Sequence, residues 1–425
     1  DTDADTDTTH TGETGTVPVS TVSATCTQTL HPQVFDCTVE LSDVGDATLT
    51  FTAAGAVTRE FHSDAPALVH HFYGWGLLSS TTYDWDAGDG ITGQVSTGPI
   101  SPDLRSPNLT ITHSGTLTGA DAVMVYTKCG YFVLMDGDAN ILWYQPTTVY
   151  DSFLDAMRWS AADHSMIAVK DSAMSPGQSE VQEVDLGGNE LLHLTTADFR
   201  LKLTHDVDRW HQYTYLLGEN PQNRMGGFEV FDGTTKVGEF LLTDAFPNIT
   251  NTHVNGISVS ESGEVILSEL NYNAILGIDG DPASPTFLQM LWHSNGAPGG
   301  GADLPNPDLE PASGTIYRGQ HNASRHGDEL WVFDNRSRGS ARGLRMSMDF
   351  ASGEIAEIDS WSTGETCFNQ GGAQPMDGGA LVTCANSDNV YAFRDNAATP
   401  EWEMLARCGG FPGSSSTRAY PVWIR

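Results

Sequence analysis

Three histidines carry the strongest chemical signal in this chain. His205 lies in Leu203–Val207, His253 opens His-Val-Asn with Asn255 two residues on, and His321 follows Gly319-Gln320. Each stands shortly before an apolar stretch: Tyr213–Leu217, Glu264–Ser268 and Glu329–Phe333 respectively. Imidazole changes charge near neutral pH, so a cluster of imidazoles can act as acid, base, nucleophile or metal ligand. A single histidine at such a place is ordinarily a satisfied structural residue. Three at one register point instead to a shared pocket.

The register belongs to a repeat. Met157 precedes Met166–Val169 and Gln370 precedes Ala380–Cys384 in the same manner. Successive starts from Met157 through His205, His253 and His321 to Gln370 are 48, 48, 68 and 49 residues apart. The long step contains the Gly/Pro/Asn-rich run Asn295–Gly314, which reads as a loop. A further unit begins near Cys129. Units of this length with several short strands are blades of a β-propeller, and six are counted. Equivalent positions of successive blades meet around the propeller axis. His205, His253 and His321 are therefore expected at one mouth of the central channel, with the apolar stretch of each unit as its inner strand.

The elements before the repeat are of another kind. Ala47–Ala54, Leu68–Trp75 and Asn108–Gly115 read as strands between turn residues. Gly76-Leu77-Leu78 followed by Thr81-x-Tyr83 resembles the corner of fibronectin type III sandwiches, and about ninety residues suit such a domain. The expected architecture is all-β: a disordered tether over residues 1–22, a fibronectin III or immunoglobulin-like β-sandwich over 23–115, and a six-bladed propeller over 116–425. The opening Asp/Thr/Gly tract cannot bury apolar surface. With Asp1 in place of Met, it reads as a tether left after a leader is removed. The expectation is an exported protein, periplasmic, cell-surface or secreted, with a lipid anchor at the missing N-terminus as one option.

Six cysteines stand at 26, 37, 129, 367, 384 and 408, and none forms C-x-x-C. An even number in an exported chain reads as disulfides. Position in the units suggests Cys26–Cys37 within the sandwich, Cys367–Cys384 around the last inner hairpin, and Cys129–Cys408 as a latch closing the ring.

The segments around the histidines, Leu203–Val207, Thr252–Glu269 and Gly319–Asn335, resemble the aryl-sulfate sulfotransferases of bacterial periplasms. Those are six-bladed propellers behind an N-terminal β-sandwich, so the resemblance spans nearly the whole chain after the tether. It implies His321 as nucleophile, taking a sulfuryl group from an aryl sulfate and passing it to a phenol. It implies His253, His205 and Asn255 as the residues that bind sulfuryl oxygens and move the phenolic proton. The chemistry asks for such a set: a neutral imidazole to attack, a second to move protons, and donors around the sulfuryl oxygens. It needs no metal, nucleotide or other cofactor. Where the family has Ser-Ser-Arg, this chain has Ser268-Glu269-Leu270. Arg342, in a Ser-Ala-Arg-Gly run, is the first candidate for the missing cation; Arg224 and Lys170 follow.

Two other readings stay open. A propeller that has lost catalysis would be a binding or scaffold protein at the envelope. Three imidazoles can also hold zinc or copper with an open position. The formal charge of -35 repels nucleic acid and anionic lipid, and no apolar run is long enough to span a membrane. Whether the chain forms a homo-oligomer is left open.

Overall fold

The computed structural model describes residues 18–425 apart from 106–108, 128–130, 147–153, 161–162, 171–178, 297–302, 313–316, 336–338, 369, 409–414 and 425. Among the described residues the chain is almost entirely strand, with two four-residue helices, Pro102–Arg105 and Leu242–Ala245. No helix there is long and apolar enough to cross a membrane. Most of the expected tether, residues 1–17, lies outside the described residues. The first strand begins at Thr21, inside the expected tether.

Seven strands make the sandwich. Thr21–Gln28, Phe35–Gly45 and Ala67–Gly74 form one sheet; Arg59–His62, Thr48–Thr52, Thr82–Asp86 and Thr92–Ser96 form the other. Alternation decides which side faces in: Phe35, Cys37, Val39 and Leu41 are buried while the residues between them are half-buried or exposed. The expected corner is present, with the Leu78 N–H donating to the Tyr83 hydroxyl at 2.9 Å. Cys26 pairs with Cys37 directly across two neighbouring strands.

Six sheets of at least four strands make the propeller, as the repeat predicts. Contacts between sheets run in a ring through Leu154–Ser160, Lys202–Trp210, Val254–Val259, His321–His326, Gly372–Met376 and Ser415–Val422. These six strands line the axis. The apolar stretches taken as inner strands are instead second from the axis. The reason is physical: Glu264–Glu269 is buried at every position, and Tyr213–Glu219 and Glu329–Asp334 at all but their first residue, as suits a strand covered on both faces.

Two further expectations are corrected. Leu109–Gly115, assigned above to the sandwich, adds to the outer edge of the sixth blade by pairing with Trp402–Cys408. The sandwich strands therefore end at Ser96. Closure of the ring is made by the C-terminal strand Ser415–Val422, which pairs with Ala122–Thr127 and completes the first blade from inside. The expected Cys129–Cys408 latch lies outside the described residues. Cys367–Cys384 is a disulfide.

The two domains share one apolar core. Phe51, Phe72, Trp75 and Tyr83 of the sandwich belong to the same buried cluster as Phe132, Trp143, Met157 and Tyr420 of the blades. Polar contacts register the joint: His31 Nε2 lies 2.6 Å from the Tyr144 carbonyl, and Gln33 donates to the Leu77 and Ile141 carbonyls. Burial pushes His31 down to about 4, against the pull of its Tyr144 bond. The first two blades are thereby held against a rigid base.

Candidate active site

The innermost strands carry the site, and an irregularity in those of the second to fifth blades helps aim it. Register shifts occur between Leu154 and Ala156, Leu203 and Val207, Val254 and Gly256, and His321 and Ser324. A bulge leaves a residue out of the ladder and turns the side chains beside it. His205 (φ 55), Asn322 (φ 52) and Gln370 (φ 54) adopt the left-handed region at, or one residue past, the start position of their repeat units. Only glycine and a few short polar residues take it at low cost. At His205 this strain accompanies a chemically active side chain.

The bulges are held by side chains that cross between blades. Asp206 accepts from the Val207 and Ile257 N–H groups, at 2.8 and 2.7 Å. Asp208 accepts from the Val259 N–H at 2.7 Å. Ser258 donates to the Ala323 carbonyl, and Asn322 to the Gly371 carbonyl. Arg158 from the second blade stands 3.6 Å from Asp206 and 3.4 Å from Asp208, and also donates to the Ile257 carbonyl. Burial opposes its charge, but Asp208, Tyr420 and Asp206 outweigh that and raise its pKa. This lacing fixes the third blade, with His205, against the fourth, with His253.

His205 and His253 are brought together. Their Nε2 atoms lie 3.3 Å apart and their rings meet edge to face, with centroids 4.9 Å apart. In the neutral pair one Nε2 donates its proton and the other accepts. The pKa of His253 is lowered, first by burial and then by His205. His321 lies within electrostatic reach of both, on the next blade. It is buried, and its Nδ1 is 2.7 Å from Asn335 Oδ1. Desolvation holds it down to about 3, outweighing the Asn335 bond and the Gly319 carbonyl, which act the other way. His321 is a neutral imidazole at physiological pH.

Asn255 is buried, and one of its amide hydrogens goes to the Gln320 carbonyl at 2.7 Å. It therefore joins the fourth blade to the residue preceding His321. Gln320 in turn donates to the Glu269 and Ala274 carbonyls. Glu269, next to Leu270 where the resemblance expects arginine, is completely buried and accepts from the His253 and Tyr272 N–H groups, both at 2.5 Å. Desolvation raises it to about 7, over the opposing effect of those amides. Its carboxyl thus anchors the backbone of His253.

Arg342 is engaged elsewhere. It lies two strands outward from His321 and binds Asp334 and Glu357, each at 2.9 Å. A guanidinium already facing two carboxylates is a poor clamp for a further anion. Arg224 is placed differently: its side chain is 82% exposed, with Glu219 3.6 Å from Nε. It is near enough to contribute to the lowering of His253. The Thr252 hydroxyl accepts from the Gly226 N–H and donates to the Arg224 carbonyl, pinning that loop to the residue before His253. The side chain of Lys170 lies outside the described residues. Among the described residues, no group of three or more His, Cys, Asp or Glu side chains could hold a metal ion.

Sequence reasoning missed Asn335 and Glu269 as parts of the site. Asn335 opens an Asn-x-Ser run that has the form of a surface glycosylation sequon, but at 4% exposure its side chain is turned inward. Its place at the end of the strand that pairs with His321 was the available signal.

No family model matches the chain, and no curated protein matches it. Solved structures that resemble it include a Bacteroides uniformis protein named for 6-phosphogluconolactonase, at 10% identity and a TM-score of 0.40, covering 89% of this chain and 97% of that one. The periplasmic gluconolactonase of Pseudomonas aeruginosa has 11% identity and a TM-score of 0.38, with 89% and 97% covered. A Lactobacillus plantarum protein, at 10% identity and 0.38, covers 68% of this chain and 100% of that one. Likeness at these scores carries no argument about activity.

Proposed function

We propose that this chain transfers a sulfuryl group from an aryl sulfate ester to a phenol, through a sulfohistidine at His321. The observation that supports this most is a neutral, buried imidazole oriented by Asn335 and within electrostatic reach of a hydrogen-bonded imidazole pair. In the first half-reaction, His321 Nε2 attacks sulfur, the N–S bond forms and the S–O bond to the aryl group breaks. The leaving phenolate takes a proton from the His205–His253 pair in its protonated form. In the second, the acceptor phenol returns a proton to that pair while its oxygen attacks sulfur and the N–S bond breaks. Protons and sulfuryl groups balance over the cycle, and His321 ends neutral.

Arg224 takes the part that the resemblance gives to the family arginine. It is the cation at the rim beside His253, and its flexible side chain can fold over a bound sulfate ester. Glu269 does not oppose this, since its carboxyl is turned into backbone amides. The test is phenol release from an aryl sulfate in the presence of a second phenol. His321→Ala should abolish it, and undiminished turnover in that variant would refute the assignment.

A further inference from the structure

The contacts of Asn335 determine which nitrogen of His321 carries the proton. Asn335 Nδ2 donates to the Cys367 carbonyl and to the Gln370 carbonyl, both at 3.0 Å. Carbonyls only accept, so the NH₂ group must face them. A flipped amide would set Oδ1 against two other oxygens and is excluded on that ground. Oδ1 therefore faces His321 Nδ1 at 2.7 Å, and it too only accepts. The proton of the neutral ring sits on Nδ1, which leaves the lone pair on Nε2.

The anchor of this arrangement comes from the connection into the sixth blade. Cys367 is fully buried and joined by its disulfide to Cys384 in that blade. Gln370 holds the left-handed backbone conformation that presents its carbonyl. Three links thus run from the stapled connection through Asn335 to the imidazole. None of them touches the His205–His253 pair.

We propose that Asn335 is a positioning residue that locks His321 in the Nδ1–H tautomer, with the Cys367–Gln370 connection as its anchor. The proposal rests on the sulfuryl-transfer reading only for its effect on rate; the tautomer is a property of the resting protein. A hydrogen-bond partner that holds a catalytic imidazole in the wrong tautomer costs an enzyme about 10⁴-fold in kcat. Asn335→Leu removes the acceptor while keeping the approximate volume. It should lower kcat by about 10²- to 10⁴-fold and change KM for the donor little.

The decisive experiment is nitrogen NMR of the full chain with ¹⁵N-labelled histidine at pH 7, the His321 signals being assigned by their loss in His321→Gln. The expected result is a protonated Nδ1 and an unprotonated Nε2 in the wild type. An Nε2–H tautomer, or averaging between the two, overturns the proposal without recourse to any variant. In Asn335→Leu the preference should be lost. Retention of the wild-type tautomer in Asn335→Leu also overturns the proposal. Should the wild-type tautomer be as expected while no aryl sulfate is turned over, the positioning stands and the sulfuryl-transfer reading falls.

Discussion

Replacing Tyr420 tests how the ring is closed. Tyr420 lies on the C-terminal strand, is 6% exposed, and packs in the core shared by the sandwich and the first blades. Its hydroxyl donates to the Met157 carbonyl at 3.0 Å, across to the second blade, and Arg158 stands 5.8 Å over its ring. Tyr420→Phe removes the hydroxyl from a buried bond, which costs about 1 kcal/mol. Tyr420→Ala also removes the ring, and aromatic-to-alanine changes in a core cost about 3–5 kcal/mol. The expected total for Tyr420→Ala is therefore about 4–6 kcal/mol. Phe368→Ala is the control, because that side chain is 71% exposed and should change stability by no more than about 0.5 kcal/mol. Urea unfolding followed by tryptophan fluorescence reads all three. The shared core further predicts that Tyr420→Ala lowers the transition of the sandwich together with that of the propeller. If Tyr420→Ala costs no more than Phe368→Ala, closure by the last strand contributes nothing, and the reasoning fails.

Acid stability gives a second prediction. His31 and His321, at about 4 and about 3 in the folded chain, are depressed below 6.5, so the stability they contribute is complete above 6.5 and is lost as pH falls toward those values. Between pH 7 and 5 this loss is about 4 kcal/mol. Glu269, raised to about 7, has the opposite sign: its contribution is complete below the ordinary value of 4.5 and is lost as pH rises toward 7. It restores about 2 kcal/mol over the same span. Glu269→Gln should therefore lose more stability between pH 7 and 5 than the wild type; an identical pH dependence in urea melts would count against a buried, titrating Glu269. Arg224→Gln should raise KM for an aryl sulfate by about tenfold or more and leave folding unchanged, as read by steady-state kinetics and a thermal melt. An unchanged KM would remove Arg224 from the site.

Much of the architecture was legible because repetition leaves a periodic trace. The steps between His205, His253, His321 and Gln370 gave the blades, and the Leu78–Tyr83 corner gave the sandwich. What had no periodic trace was strand addition at a distance. Leu109–Gly115 alternates like a sandwich strand, and nothing local says that it pairs with Trp402–Cys408. Ser415–Val422 lies beyond the last repeat, so its role as the inner strand of the first blade is decided by the partner it meets. The site divides in the same way. Register identified which blades carry histidine, whereas the partners that tune each ring are set by side-chain contacts. Arg342 looked available from its neighbours in sequence; Asp334 and Glu357 occupy it in space. Glu269 stands in sequence as a carboxylate beside the missing cation, and the backbone amides that receive it are brought to it by His253 and the turn around Tyr272.

The central claim is tested most directly by trapping the covalent intermediate. The full chain is mixed with excess aryl sulfate and no acceptor, and phenol release is followed through the first turnover before neutral peptide mapping by mass spectrometry. The account predicts a burst of phenol equal to the enzyme present, with one sulfuryl group on the peptide that contains His321. A burst with the sulfuryl group on any other residue, or phenol release without a covalent adduct, would contradict it.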